Sequence, residues 1–240
     1  MNFLQLAQMV KRESGLSGGP VVSVATASGD DARIFAWVNS AWQDLFLGHE
    51  SWRFRRGEAL GETTTATMAA TTASPGFALT DFASWKQSAG DYKPTAWRTA
   101  DGQVTERELY WLDYESFRRR FTVGVHTPGP VRFWTVSPDE ALLLGPTPDA
   151  AHMVRASYVK DFIPLALDAD TPTLPARFHD MIAWRALREY GGYDAASEVF
   201  QRADQNYRDG WSALAQSQLQ MPGFGARPLA GGAGGYTSWT

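Results

Sequence analysis

The 240-residue chain contains no cysteine, which excludes disulfides, thiolate chemistry and any zinc site built on cysteine. It has no apolar run approaching the roughly 18 residues that a spanning helix requires. Its opening, MNFLQLAQMVKRESG, lacks the basic start, apolar core and cleavage site of a secretion signal, so neither export by that route nor membrane insertion is expected. Basic excess is missing as well. There are 22 basic against 26 acidic side chains, a formal charge of -4, and a protein built to grip nucleic acid needs clustered Lys and Arg to neutralise phosphate. A protein that surrounds DNA without gripping it remains compatible with this balance.

Catalytic signatures are also absent. The sequence has no GxGxxG, GxxxxGKS, GxSxG or HExxH pattern, and Gly18-Gly19 and Gly231-Gly232 lack the strand-before, helix-after setting of a phosphate loop. The four histidines, His49, His126, His152 and His179, are far apart and read as solvated or locally hydrogen-bonded. Glu62 is a scattered acid. Asp168-Ala169-Asp170 has a faint calcium flavour but lacks the glycine and distal Glu of a calcium loop, so a turn-forming role is the better reading. No catalytic residue, metal ligand or cofactor is expected; an enzyme with a site assembled from distant residues, or a small DNA-binding regulator, would be the rivals from other classes.

What is present is helix at both ends and strand between. Asn2 to Ser14 has Phe3, Leu6, Ala7 and Val10 at helical spacing, with Asn2 to cap and Gly15 to stop. SGLSGGP is a connector, and VVSVATAS is short enough to be extended or loop. Across DDARIFAWVNSAWQDLFLGHE, Ile34, Trp37, Val38, Ala41, Trp42 and Leu45 form one apolar stripe, with Asp30 and Asp31 favoured by the helix dipole. The chain has 10 Trp and 13 Phe, side chains that supply cores and also anchor interfaces.

From Ser51 onward the pattern is that of short strands. SWRFRRGEAL, TTTATMAATT, GFALTDFASWK, PTAWRT and GQVTERELYWL are read as extended, with a turn at Asp101-Gly102. LDYESFRRRF interrupts as a short helix near 113–121, capped by Asp113, with Phe117 and Phe121 four apart. VRFWTVS and EALLLGP suggest a hairpin about Pro138-Asp139, and AHMVRASYVKDF an alternating strand with Met153 opposite Val154 and Ala156. After LDADTPTLPARF, a helix is predicted from Pro175 to Tyr190, with Phe178, Ile182 and Ala186 on one side. A corner follows at Gly191-Gly192, then a long helix from Asp194 to about Leu219 with the stripe Ala196, Val199, Ala203, Tyr207, Trp211 and Leu214. So short a corner implies antiparallel packing.

The predicted fold class is α+β: a helical bundle from N- and C-terminal helices with an inserted β-rich module. The divisions are 1–50, N-terminal helices; 51–160, β-rich insertion; 161–220, C-terminal hairpin; and 221–240, a glycine-rich arm expected to be disordered in the free monomer. The arm ends in Tyr236 and Trp239, aromatic residues that could anchor it on a partner.

Two arginine clusters stand out: Arg53, Arg55 and Arg56 on a predicted strand, and Arg118, Arg119 and Arg120 ending the short helix. Each is either a solvated face with favourable charge at a helix end or a contact with an acidic neighbour or passing DNA phosphates. Residues 161–220 carry nine acids and five arginines, a net of -4; were that hairpin to line a channel, its charge would keep DNA sliding.

Taken in order, MNFLQLAQMVKRESG, ARIFAWVNSAWQDL, LYWLDYESFRRRF, LLLGPTPDA and LPARFHDMIAWRALREYGGYDAASEVFQRADQNYRDGWSAL resemble the head-to-tail adaptor (connector or neck) proteins of tailed bacteriophages across most of residues 1–219. No single one of these is a chemical fingerprint; their order and spacing carry the likeness. The resemblance implies a non-enzymatic virion subunit without a cofactor, made in the host cytoplasm and placed at the head-tail junction. About a dozen copies would form a ring beneath the portal protein, extend the channel for genomic DNA and offer a platform to tail or neck proteins, with the C-terminal arm reaching along the portal. No membrane partner is implied. A tail-completion or other tail-side protein is the nearest alternative, although it would not need the strong C-terminal hairpin. For the ring contacts, the expected residues are those on the hairpin sides facing away from the apolar stripe: Arg185, Arg188, Glu198, Arg202 and Arg208.

Overall fold

A computed structural model describes residues 1–63, 69–70, 77, 79–86 and 93–219. Tyr236, Trp239 and the rest of the predicted arm lie outside the described residues, as does most of TTTATMAATT.

Helix α1 (Phe3–Ser14) begins with a capping box: the Asn2 side chain accepts from the Gln5 amide and Gln5 reciprocates, satisfying two amides that the first turn leaves orphaned. It ends where Gly15 turns left-handed at φ 75°, a conformation that glycine adopts without steric cost. Helix α2 (Asp30–Leu47) buries Ile34, Phe35, Val38, Ala41, Trp42, Leu45 and Phe46. The predicted stripe is therefore wider than read, with Trp37 at its flank against Tyr190 and Tyr193.

The middle of the chain forms two sheets. In the first, β9 (His152–Lys160) is central. It pairs along one edge with β1 (Arg56–Thr63), and its other edge is shared by β3 (Phe82–Trp85) and β4 (Thr95–Arg98); β5 (Arg107–Glu108) adds to β4. The second sheet runs β2 (Ala69–Ala70), β8 (Leu142–Gly145), β7 (Phe133–Val136), β6 (Tyr110–Trp111), with β6 parallel to β7 and the other pairs antiparallel. β9 buries His152, Val154, Ala156 and Tyr158 and turns Met153, Arg155 and Ser157 outward, the strict alternation of a sheet with one covered face. Ala59, Trp85, Trp134, Leu142 and Leu144 meet these residues in a core of their own.

Helix α3 (Tyr114–Phe121) is capped by Asp113, which accepts from the Ser116 amide, and lays Phe117 and Phe121 on the second sheet, where they close on Gly145. The chain then returns to the first helices. α4 (Asp180–Tyr193) packs against α1, α2 and α5 (Ser197–Gln218), and Met181, Ile182, Ala183, Ala186, Leu187 and Tyr190 fill the helical core with Trp42 and Trp52. Contacts at Gly191–Phe200, Arg188–Asp204 and Met181–Gly210 run in opposite senses along α4 and α5, so the hairpin is antiparallel. The structure is thus mixed α+β, with one core among helices from both ends of the chain and a second between the sheets.

Several local expectations are corrected. Trp52 and Phe54 do not alternate in a strand: Arg53–Arg55 is a 3-10 turn, because both rings stack on each other and enter the helical core. GQVTERELYWL is not one strand. It makes a 3-10 turn at Gln103–Thr105, then β5 and β6 in different sheets. The switch falls at buried Leu109, whose amide donates to Pro94 while the next amide donates to Arg132. VVSVATAS holds a 3-10 turn at Val24–Thr26. Pro175 is not in a helix: a 3-10 turn at Ala176–Phe178 follows it, and α4 starts at Asp180. Gly191-Gly192 lies inside α4, where Phe200 would collide with a side chain at 191. The corner is at Asp194–Ala196, where Ala195 takes φ 51°.

Candidate interaction surfaces

Three of the hairpin arginines expected to face outward are instead bonded to their own chain's other helices. Arg185 on α4 reaches Asp44 on α2 and also Glu189 at 3.3 Å. Arg188 is ion-paired with Asp204 on α5 at 3.1 Å and lies over the Tyr207 ring. Arg202 donates to the Glu13 carbonyl at the end of α1 at 2.7 Å and sits 3.5 Å from the Glu13 carboxylate. Arg208 stays exposed and pairs with Asp204 one turn away. Glu198 is exposed in the first turn of α5. The apolar stripes are flanked by neighbouring helices, so long side chains beside them meet those helices before they meet solvent.

Arg53, Arg55 and Arg56 divide between roles. Arg55 lies 4.8 Å from the Phe46 ring centre, and burial pushes its guanidinium below the usual arginine range against the pull of Glu50 and Asp161. Arg56 opens β1 and donates to the Ser51 carbonyl. Arg53 is exposed. Arg118, Arg119 and Arg120, by contrast, all project from the last turn of α3, where positive charge complements the helix dipole. Arg118 covers Tyr114, Arg119 touches the Glu115 carbonyl and Ser116, and Arg120 lies 4.5 Å over Phe133.

The acids of the 161–170 segment serve structure. Asp168 accepts from the Ser23 hydroxyl and the Val24 amide, and Asp170 from the Ala166 and Leu167 amides; these bonds hold both carboxyls below the ordinary range. This is the turn-forming role expected of Asp168-Ala169-Asp170. Three histidines bond locally: His49 to the Ser51 amide, His126 to Val123 and His152 to Ala150. His179 is buried and long-range. Its Nε2 lies 2.7 Å from the Leu174 carbonyl oxygen, and its Nδ1 lies 2.6 Å from the Met1 ammonium and 2.8 Å from the Met1 carbonyl oxygen. Among the described residues, no three His, Asp or Glu side chains are grouped to hold a metal ion, and no helix is long and apolar enough to cross a membrane.

Two clefts escaped the reading of the sequence. The larger, about 740 Å³, lies where the rims of the two sheets meet and includes Trp97, Arg107, Tyr110, Arg132 and His152 in its walls. The smaller, about 270 Å³, sits beside Trp42, Phe46, Lys160 and Ile163. Their walls come from four or more separate stretches of chain, so no local pattern announces them.

Fold and surfaces define an α+β protein with a helical body and a β-rich insertion, both of which carry exposed charge and exposed aromatic groups. The whole of residues 1–229 matches the family model described as SU10 adaptor protein, and the chain belongs to that family of phage adaptors. No curated protein matches it. Membership makes it a structural component of a bacteriophage virion, with partners among phage head and tail proteins.

Proposed function

We propose that the protein is the head-tail connector subunit: copies of it assemble as a ring of about twelve, dock on the portal protein, extend the DNA channel and form the platform for tail attachment. The observation that carries this reading is the match to an adaptor family over residues 1–229, and the sequence-order likeness to connector proteins points the same way. The role is structural rather than catalytic. What supports this part is the use of polar groups: the carboxylates and histidines described above are occupied in caps, turns and helix-to-helix ties.

The acidic C-terminal hairpin fits passage of DNA without recognition, since a wall of like charge does not hold phosphate. Arg118, Arg119 and Arg120 are the best-placed cations for an acidic portal or tail surface, being gathered in one exposed turn. The test is the native mass of the purified chain, alone and mixed with the portal ring encoded in the same genome. A discrete complex of portal plus about twelve copies is expected. No binding at any ratio would overturn portal docking and move the protein to the tail side.

A further inference from the structure

Two unlike surfaces stand at opposite ends of β9. His152, its first residue, lines the larger cleft, and Lys160, its last, lines the smaller; eight residue steps separate them by roughly 26 Å.

At the first end the cleft is walled by the rims of both sheets. Arg107 and Arg132 are exposed, and neither makes a side-chain hydrogen bond, ion pair or ring contact with a described residue. That sets them apart in a chain whose other described arginines, Arg53 excepted, are engaged. The cleft's remaining charges are Arg98, held by Asp149; Glu108, held by Lys93; and Asp101. Tyr110, 65 % exposed, lines the same cleft, and Trp111, 41 % exposed, follows it in the chain. These aromatics sit on β6, the edge of its sheet, and an uncovered edge bearing large apolar groups is a pairing surface.

At the other end, Asp161–Asp170 has neither helix nor strand, and it carries three acids and no base. Ile163 is 53 % and Leu167 66 % exposed. The segment is nevertheless fixed. Trp42 donates its indole N–H to the Ile163 carbonyl, Asn39 bonds both the amide and the carbonyl of Leu165, and Asp170 holds the amides of 166 and 167. Since Asp168 and Asp170 are held in internal bonds, what the segment presents, already ordered, is exposed Asp161 and two apolar studs, and that order lowers the entropy cost of docking it.

We infer that the Asp161–Leu167 segment of one copy seats in the Arg107–Tyr110–Arg132 cleft of the next. Asp161 meets the free guanidinium groups, and Ile163 and Leu167 cover Tyr110. The apolar side chains on both surfaces favour polypeptide over a phosphate backbone as the occupant. Joining two different patches is a heterologous contact, the kind that closes into rings. The inference rests on the ring proposed above and specifies which surfaces make it.

The absence of cysteine gives a direct test. Tyr110→Cys and Ile163→Cys are made separately, mixed, assembled on the portal ring and treated with a short bismaleimide. A cross-linked species of twice the monomer mass is expected from the mixture and from neither variant alone. Adding Arg107→Glu and Arg132→Glu to the first variant should abolish it, and Asp161→Lys in the second should restore part of the yield. Arg132→Cys with Leu167→Cys serves as an independent pair should either first variant melt early. A complete ring by native mass that yields no mixed cross-link with either pair overturns this contact while leaving the connector role standing. Failure to form any ring, free or on the portal, overturns ring assembly and this contact together.

Discussion

Phe77 occupies the space that a side chain at Gly61 would need: a Cβ built there would lie 2.2 Å from two of its ring carbons. Phe77 is fully buried and meets Trp85 edge-on at 5.9 Å, so it has little room to retreat. Gly61→Ala should therefore destabilise the sheets by about 1–3 kcal/mol, the usual cost of overpacking. A thermal melt followed by near-ultraviolet circular dichroism checks this, and an unchanged midpoint would show that the Phe77 ring gives way freely.

The ion pair of Arg188 with Asp204 joins α4 to α5, both side chains being mostly covered. Arg188 Nε has no well-aligned hydrogen bond, so Coulomb attraction and packing on Tyr207 and Phe200 carry the contact. A double-mutant cycle of Arg188→Gln and Asp204→Asn should give a coupling of about 1 kcal/mol, within the range for neighbouring partly buried charges. Because Arg208 also reaches Asp204, Asp204→Asn alone should cost more than Arg208→Gln. Denaturant unfolding of the four proteins supplies the numbers, and zero coupling would leave the pair without a role in stability.

The helices were legible because their signals are local. Asn2, Gly15 and Asp113 act as their residue types predict, and the buried residues of α1 and α2 recur at helical spacing. The 133–145 hairpin and the alternation in β9 were equally plain. Where the reading failed, tertiary contacts had overruled local preference. Trp52 and Phe54 alternate like strand residues but are drawn into the helical core. Gly191 looks like a corner but is a seat for Phe200. The arginines of the hairpin were placed by helical phase alone, and that phase does not reveal that Asp44 and Glu13 stand opposite Arg185 and Arg202. The cleft at Arg107, Tyr110 and Arg132 depends on a change of sheet at Leu109 that no periodicity marks.

Alkaline stability should be set in part by Tyr158. Burial first, then the hydrogen bond to Asp81 at 2.8 Å and the charge of that carboxylate, push its hydroxyl up to about 12. The folded state therefore keeps a proton that the unfolded chain begins to release near 10. The stabilisation is complete below about pH 10 and is lost as pH rises through about 12. Burial raises Tyr190 and Tyr207 in the same direction, so Tyr158→Phe should flatten this limb without abolishing it. Melting temperatures between pH 9 and 12 test the slope; an identical slope in the variant would remove Tyr158 from the account.

At acid pH the sign reverses. The carboxyls of Asp168 and Asp170 lie below the ordinary range because each accepts bonds that favour its charged form, Asp168 from Ser23 and Val24, Asp170 from Leu167 and Ala166. Their contribution is present above the ordinary carboxylate range, about 3.9, and is lost as pH falls through the depressed values. Since Phe3 and Leu4 donate to the Asp170 and Asp168 carbonyls, the start of α1 should loosen along with this segment. NMR amide shifts of Val24, Ala166 and Leu167 should titrate together; midpoints at or above the ordinary value would contradict the bonding described.

The arginines of α3 separate a solvated face from a binding face. Arg118, Arg119 and Arg120 are exposed, and their contacts are with Tyr114, Glu115, Ser116, Phe121 and Phe133 of their own surface. R118Q/R119Q/R120Q keeps side-chain length and removes three charges that favour the helix end, a loss of about 0.3–1 kcal/mol each at most. The fold should survive with a modestly lower melting temperature. If these residues meet an acidic portal or tail surface, affinity for that partner should fall at least tenfold. The salt dependence of its association should weaken in parallel, because exposed charge acts mainly on encounter. An unchanged affinity with only the small loss of stability would assign the three arginines to the helix dipole and to solvent.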